Sequence, residues 1–439
     1  MKNFAMKTTF RPRIYAGEWQ KQATNTTARA TLSDRCDMPD VLSKFLRYVK
    51  VDTPSDENNA AVTPSTPCQL DLAKMLYNEL CAMGIAAEIT EHGYVYAKIP
   101  ANSPAEAAVG FIAHIDVVSQ PKGFGVKPQV VKYTGGDLKI GNGAEVKESD
   151  CPALKNYVGM DIVTSDGSTI LGADDKAGVA EIMQMAQYVA ANPEFKHGDI
   201  GIAFTPDEEI GHGAALFDVK GFGCDFAYTV DGEEIGELSY ETFNGAAFSF
   251  EIEGKNIHPG SAKGKMINAV VIASDIIARF PAGERPETTE GREGYYFIND
   301  ISGDVEKCTL SGIIRDHDSA KFEERKAFAQ AVADEFAAAY PARIKLSMRD
   351  QYYNCARVIQ PKMHIVDAAA EAMKAEGVEP RIEPTRGGTD GSNLSFMGLP
   401  CPNIATGGHN AHGRNEFIPV PCMQKTVNIL LGIIARYAK

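Results

Sequence analysis

Three short apolar runs end in residues able to hold a metal or move a proton, and this pairing restricts the fold more than any other feature. Val109-Gly-Phe-Ile-Ala113 leads into His114-Ile-Asp116. Ile200–Thr205 leads into Pro206-Asp207-Glu208-Glu209, and Phe226–Val230 into Asp231-Gly232. Short continuous apolar runs bounded by turn residues read as buried strands of an α/β sheet with helices on its faces.

The segments around these runs alternate accordingly from Met38 to about Tyr240. Val41, Leu42, Phe45, Leu46 and Val49 recur at helical spacing after Met38-Pro39-Asp40. Residues 68–83 predict an amphipathic helix stopped by Gly84, and residues 176–191 a helix closed by Asn192-Pro193. Further strands are expected at 87–90 and 94–99. After Tyr240 the rhythm changes. Residues 246–252 and 309–315 alternate like strands with one solvated face, 343–348 is a third candidate, and helices are expected near 265–279 and 320–339. This predicts an α+β module at 241–353 inserted into a larger α/β domain made of 38–240 and 354–439. The α/β rhythm of that domain returns at 364–375 and then 402–405, and ends with a helix at about 422–437.

A chain of 439 residues exceeds what one hydrophobic core usually holds, which fits two domains. A net charge of -14 argues against general nucleic-acid binding and against adhesion to an acidic membrane. No run of roughly twenty apolar residues is present, so no transmembrane helix is expected. The nine cysteines are scattered with no C-x-x-C pair, which fits a reducing, cytoplasmic setting. Cys68, Cys81, Cys224 and Cys401 lie in or beside apolar segments, where a buried thiol acts as a small hydrophobe. Residues 1–37 are basic and lack a secretory apolar core. They read as a disordered extension, or as a start assigned upstream of Met38.

Glu208 and Glu209 are adjacent, so their side chains diverge. One carboxylate can go to a metal while the other handles protons. His114 and Asp116 share one face of a strand, which lets Asp116 hold one imidazole nitrogen while the other meets a metal. Asp174 and Asp175 sit before the 176–191 helix, where a carboxylate can bridge two cations or simply cap the helix. Asp231 follows a strand, where it could equally be a turn residue. Thr406-Gly-Gly-His409-Asn-Ala-His412-Gly offers two histidines, and spacing does not choose between them. Together, His114, Asp174, Glu209, Asp231 and His412 fall at or beyond strand ends, where open α/β sheets place ligands. Two histidines and three carboxylates without a thiolate suit a pair of Zn²⁺, with Co²⁺ or Mn²⁺ as substitutes.

These residues stand in Ala-His114-Ile-Asp116, Gly-Ala-Asp174-Asp175-Lys-Ala-Gly, Thr-Pro-Asp-Glu208-Glu209-Ile-Gly, Tyr-Thr-Val-Asp231-Gly and His412-Gly-Arg-Asn-Glu-Phe. With Ile-His258-Pro-Gly, Glu-Thr-Thr-Glu-Gly, Ile-Ile-Arg315-Asp and Arg386-Gly-Gly-Thr-Asp-Gly, the chain resembles the M20 family of metallopeptidases from about Met38 onward. Its tripeptide aminopeptidase branch is the most similar. The resemblance implies a zinc-peptidase-like α/β catalytic domain, its mixed sheet between helices, and an inserted α+β lid or dimerisation-type domain. It implies Asp174 as the bridge between two zinc ions, with His114 and Asp231 completing one site and Glu209 and His412 the other. Glu208 would be the general base and Asp116 would orient His114. His258, Arg315 and Arg386 would bind substrate, His258 as oxyanion donor and the guanidiniums on a peptide carboxylate. Glu233 departs from the pattern, standing where the family has glycine.

The expected reaction is removal of the N-terminal residue from short peptides, tripeptides first. A dipeptidase, a carboxypeptidase or an N-acyl amino acid deacylase of the same family would share the metals. A metal-bearing binding protein without chemistry is the rival from another class. The expected partner is a peptide substrate. The resemblance leaves a homodimer open, since many relatives pair through the inserted module.

Overall fold

The computed structural model describes residues 40–232 and 234–438, so the basic segment 1–37 and Glu233 lie outside the described residues. Asp40–Lys439 is one compact unit. Its eight-stranded sheet runs in the order Ala86–Ile89, Val95–Ile99, Ile200–Thr205, Val109–His114, Phe226–Val230, Asn403–Ile404, Glu237–Ser239 and Arg381–Ile382. The central strands are parallel, with Ile112 opposite both Ala203 and Thr229. The Val95–Ile99 strand joins antiparallel to Ile200–Thr205, and Glu237–Ser239 antiparallel to Asn403–Ile404, so the sheet is mixed.

The apolar runs are continuous because both faces are covered. Phe111, Ala113, Ile202, Phe204 and Tyr228 enter one core, while Ile112, Ala203 and Ala227 enter a second cluster behind the sheet. On the first face the helix Ala173–Ala191 packs against Val109–His114 and against the helices Val41–Tyr48 and Val420–Tyr437. On the second face Ala203 and Ala227 meet Phe217, Phe222 and Leu394. Among the described residues, no helix is long and apolar enough to cross a membrane. The eight described cysteines are all free thiols; Cys401 is buried as expected, whereas Cys81 is exposed.

A separate four-stranded antiparallel sheet runs in the order Tyr295–Gly303, Lys307–Asp316, Asn244–Glu253 and Ile344–Tyr352. The helices Ala269–Ile277 and Ser319–Ala339 cover one face, over a core that includes Phe248, Phe250, Leu310 and Phe336. Of the residues on the other face, Arg349 and Gln351 line a cleft together with Glu208 and Glu209. Three strands were expected here, and the fourth, Tyr295–Gly303, is a mostly exposed edge strand. Asn299-Asp300 at its centre hides the alternation, because the pairing shifts register between Ile298 and Asp300. The strands within 129–164 were also not anticipated, each being only three or four residues long.

One buried group does nothing for this architecture. Glu181, on the helix Ala173–Ala191, is 0% exposed, and neither carboxylate oxygen has a hydrogen-bond partner. Burial alone pushes its carboxyl well above the ordinary value near 4.5. Folding at neutral pH must therefore supply this group with a proton, and its stabilising protonated form is lost as pH rises from the unfolded value towards the folded one. Replacing Glu181 with Met should raise the thermal midpoint, by about 1–3 kcal/mol of stability at pH 7. The gain should shrink towards pH 4.5 in paired thermal melts; a gain independent of pH would contradict the assignment.

Candidate metal centre and active site

Four adjacent parallel strands end on one edge of the large sheet, and the candidate residues hang from those ends. His114 is the last residue of its strand, Glu208 and Glu209 form a 3-10 turn after Thr205, and Asp231 follows Val230. His412 lies in the loop after Asn403–Ile404, in the left-handed region at φ 62°. Asp174 comes from the other direction, at the mouth of the helix Ala173–Ala191. There Asp174 and Asp175 are non-helical, and regular helix begins at Lys176.

The two aspartates divide the tasks left open by the sequence. Asp175 is fully buried and serves the backbone. Its Oδ1 accepts from the Gly178 N–H at 3.2 Å and its Oδ2 from the His114 N–H at 3.1 Å. Gly178 permits this approach, since a Cβ there would lie 2.5 Å from Asp175 Oδ1. Asp174 instead faces the imidazoles. Its Oδ1 lies 3.0 Å from His114 Nε2, and its Oδ2 lies 3.1 Å from His412 Nε2. One carboxylate thus spans two histidines, one oxygen to each. His412 Nε2 is also 3.0 Å from Glu209 Oε2, and His114 Nε2 is 3.9 Å from Asp231 Oδ1. The competing His409 is a core residue. Its Nε2 meets the Tyr157 hydroxyl at 2.8 Å, its ring stacks on Phe417, and burial lowers its pKa to about 4.

Asp116 fixes this geometry from beneath. It is 0% exposed; Oδ1 accepts from the Glu208 N–H at 3.0 Å and Oδ2 from the Glu209 N–H at 3.2 Å. Oδ1 also lies 3.4 Å from His114 Nδ1, which is 3.1 Å from the Asp116 carbonyl oxygen. One carboxylate therefore orients the imidazole and both glutamates.

The electrostatics describe a site with too much negative charge for its protein partners. Burial and neighbouring carboxylates raise Glu208 and Glu209 above the ordinary glutamate range, and raise Asp231 to about 8. Burial would raise Asp174 as well, but hydrogen bonds from His114 and His412 outweigh it and hold its carboxyl low. Burial would lower His114, yet Asp116 and Asp174 draw its imidazole upward; Asp174 and Glu209 push His412 up to about 11. Glu209 Oε1 is buried with no hydrogen-bond partner. The ligating atoms of His114, Asp174 and Glu209 lie within 4.8 Å of one another, as do those of His114, Asp175 and Asp231. An orphaned carboxylate oxygen and a thiolate-free set of nitrogen and oxygen donors fit divalent cations. Because Asp175 is engaged by two backbone N–H groups, Asp174 is the better placed of the pair.

The centre opens into a cleft of about 590 Å³ whose walls include Glu208, Glu209, His412, Arg315, Tyr352 and Asp390. Arg315 is 8% exposed; it donates to the Ile314 carbonyl oxygen at 3.0 Å and lies over the Tyr352 ring at 5.0 Å. Gly245 makes that stack possible, because a Cβ there would lie 2.8 Å from an Arg315 nitrogen. Arg386 and His258 are not on the cleft wall. Arg386 donates to the Gly291 and Glu293 carbonyl oxygens and to Thr289 Oγ1, between the rings of Phe243 and Tyr295. His258 is exposed, its Nδ1 accepting from the Gly260 N–H at 3.1 Å.

Sequence reasoning missed Glu416, although it stands in the quoted His412-Gly-Arg-Asn-Glu-Phe stretch. It is 1% exposed; Oε2 accepts the N–H groups of Leu171 and Gly172 at 2.7 Å, and Oε1 that of Asp174 at 3.1 Å. A carboxylate 242 positions away in sequence thus holds the turn that presents Asp174.

Comparison with known proteins gives a consistent result. Residues 167–436 match the model of peptidase family M20/M25/M40. The chain is 51% identical over 406 residues to peptidase T of Clostridium perfringens, covering 92% of this chain and 100% of that one. Peptidase T of Desulfitobacterium hafniense is 51% identical over 407 residues, covering 92% of this chain and 99% of that one. Among solved structures, aminopeptidase PepT from Bacillus cereus shares the fold, with a TM-score of 0.70 at 24% identity over 90% of this chain and 97% of that one.

Replacing Glu416 with Gln removes one acceptor and sets an amide against backbone donors. The variant should fold, yet hold a divalent cation about 10- to 100-fold more weakly, because outer partners orient the ligands. Equilibrium dialysis with Zn²⁺ measures this directly, and unchanged affinity would show that Asp174 is placed without Glu416.

Proposed function

The chain belongs to peptidase family M20/M25/M40 and is a peptidase, and from that footing we propose the following division of labour at its active site. It is a metallo-aminopeptidase that releases the N-terminal residue from short peptides, tripeptides above all. The observation that carries the metal assignment is Asp174, one oxygen on each imidazole. His114, Asp174 and Asp231 hold one cation, and Asp174, Glu209 and His412 the other. Zinc is the proposed metal for both.

When bound, the two cations supply Lewis acidity, lowering the pKa of a water and polarising the scissile carbonyl. Glu208 is the general base. It lines the cleft, and its backbone is fixed by Asp116 while its carboxylate forms no ion pair among the described residues. Its raised pKa suits a group that takes a proton from the attacking water and returns it to the leaving amine. Asp116 is a positioning residue for His114 and the glutamate turn. Arg315 lines the cleft and is proposed to meet substrate there. Arg386 contributes by tethering residues 289–293, with Nη1 and Nη2 donating to the Gly291 and Glu293 carbonyls and to Thr289 Oγ1. His258 lies outside the cleft, so its role as oxyanion donor requires the module of residues 241–353 to close over the large sheet.

The free thiols support a reducing, cytoplasmic setting. Pairing of two copies through the inserted module belongs to the same reading, supported by Phe297 and Ile301, 41% and 47% exposed on its edge strand.

The deciding experiment is a substrate panel of di-, tri- and tetrapeptides and acetylated amino acids with added Zn²⁺ or Co²⁺. Free alanine and Gly-Gly from Ala-Gly-Gly, whose two ends differ, are the expected products, with dipeptides and acetylated amino acids poor substrates. Preferred release from the C-terminal end, or of acetate, would move the protein to another amide-hydrolase class. Chelation should abolish turnover and Zn²⁺ should restore it. Glu208→Ala should retain its metals while kcat falls about 100- to 10,000-fold; full activity in that variant would remove Glu208 from the mechanism.

A further inference from the structure

The cleft has both acidic and basic lining residues. The acids Glu57, Glu208, Glu209 and Asp390 line it, and so do Arg315 and Arg349, which stand on strands of the smaller sheet. The two guanidiniums are not equivalent. Arg315 is buried, donates to backbone oxygens of its own sheet and lies flat on Tyr352. Arg349, on the strand Ile344–Tyr352, is exposed to the cleft and makes no hydrogen bond or ion pair with any described residue. Its cross-strand neighbour is Ala247, and Ser347 and Gln351 flank it on the same face of its strand. No carboxylate of the sheet is placed to neutralise it. The adjacent acid, Asp350, points to the opposite face and is held by Lys326 and the Tyr353 hydroxyl.

Across the sheet, Arg315 pairs with Gly245 and Arg349 with Ala247, on either side of the shared strand Asn244–Glu253. Two inter-strand spacings and two residues of offset put their Cα atoms roughly 12 Å apart. They are therefore separate positions along the cleft. A charged fork left unpaired on the wall of a peptide cleft is suited to a carboxylate, which it can grip through two parallel hydrogen bonds.

We propose that Arg349 is a specificity-determining residue that receives a carboxylate of the bound peptide. This inference rests on the aminopeptidase reading and deepens it. The peptide's amino end would lie among the acids and its anionic end on the arginine wall, which orients the N-terminal bond towards Glu208. Two sources share this chemistry, the C-terminal carboxylate and an acidic side chain downstream of the scissile bond.

The test uses the zinc-loaded enzyme, Arg349→Gln and Arg349→Lys, with Ala-Ala-Ala, its C-terminal amide, and Ala-Glu-Ala amide. Arg349→Gln should lower kcat/KM for a carboxylate-bearing peptide about 10- to 100-fold, chiefly through KM, and Arg349→Lys should retain part of the difference. A fall in the ratio of free acid to amide assigns the C-terminal carboxylate. A fall confined to the glutamate-bearing amide assigns the side chain. Equal ratios in wild type and Arg349→Gln for both comparisons would overturn the proposal. Calorimetric titration of the same peptides into Glu208→Ala, with and without Arg349→Gln, reads binding apart from turnover. Wild type that releases no N-terminal residue would sink the aminopeptidase reading. Binding that does not depend on Arg349 would sink this one.

Discussion

Burying negative charge is the constraint on which this structure turns. Asp116, Asp174, Asp175, Glu208, Glu209, Asp231 and Glu416 crowd one edge of one sheet, and at Asp175, Glu208, Glu209, Asp231 and Glu416 loss of water and neighbouring carboxylates oppose ionisation. The fold answers this with two kinds of partner. Asp116, Asp175 and Glu416 accept seven backbone N–H bonds between them, which stabilises charge without introducing a cation. Asp174 and Glu209 meet imidazoles, Asp231 lies 3.9 Å from His114 beside the Asp174 carboxylate, and Glu209 keeps a buried oxygen with no partner. The first set holds the loops; the second is left with charge for divalent cations to neutralise.

That division explains why the supporting carboxylates matter as much as the proposed ligands. Asp116 ties the end of one parallel strand to the turn after its neighbour, so His114 and the glutamate pair move as a unit. Glu416 does the same for the turn before the helix Ala173–Ala191. The cleft beyond is shaped by packing of the smaller sheet against these loops. At that junction the Tyr352 ring lies between Arg315 and the backbone of Gly388, where a Cβ would come within 2.8 Å of the ring.

The strands of the large sheet were readable because burial on both faces leaves an unbroken apolar run, as in Ile200–Thr205. The edge strand Tyr295–Gly303 was not, since it is mostly exposed and its bulge breaks the alternation. Among candidate site residues, those at strand ends stood out because a His or acid abruptly follows apolar residues. Glu416 gave no such signal. Its partners are backbone groups about 245 positions away, and a backbone N–H has no side-chain signature. Arg349 was equally silent, since a lone arginine in a polar-faced strand looks like any solvated charge.

The sequence by itself determined which residues could carry the chemistry and that buried strands would deliver them to one sheet edge. It could not separate Asp174 from Asp175, or His409 from His412, without appeal to family resemblance. Tertiary structure separated them through the partners each side chain meets. Asp175 turns to the Gly178 and His114 amides and His409 to Tyr157 and Phe417, while Asp174 and His412 turn to each other. It also sorted three arginines of similar appearance into one stacked, one tethered and one with an open guanidinium. The physical reason is the same in each case. Composition and spacing fix a group's chemistry, but its charge state and availability depend on neighbours that only the folded chain brings within hydrogen-bond reach.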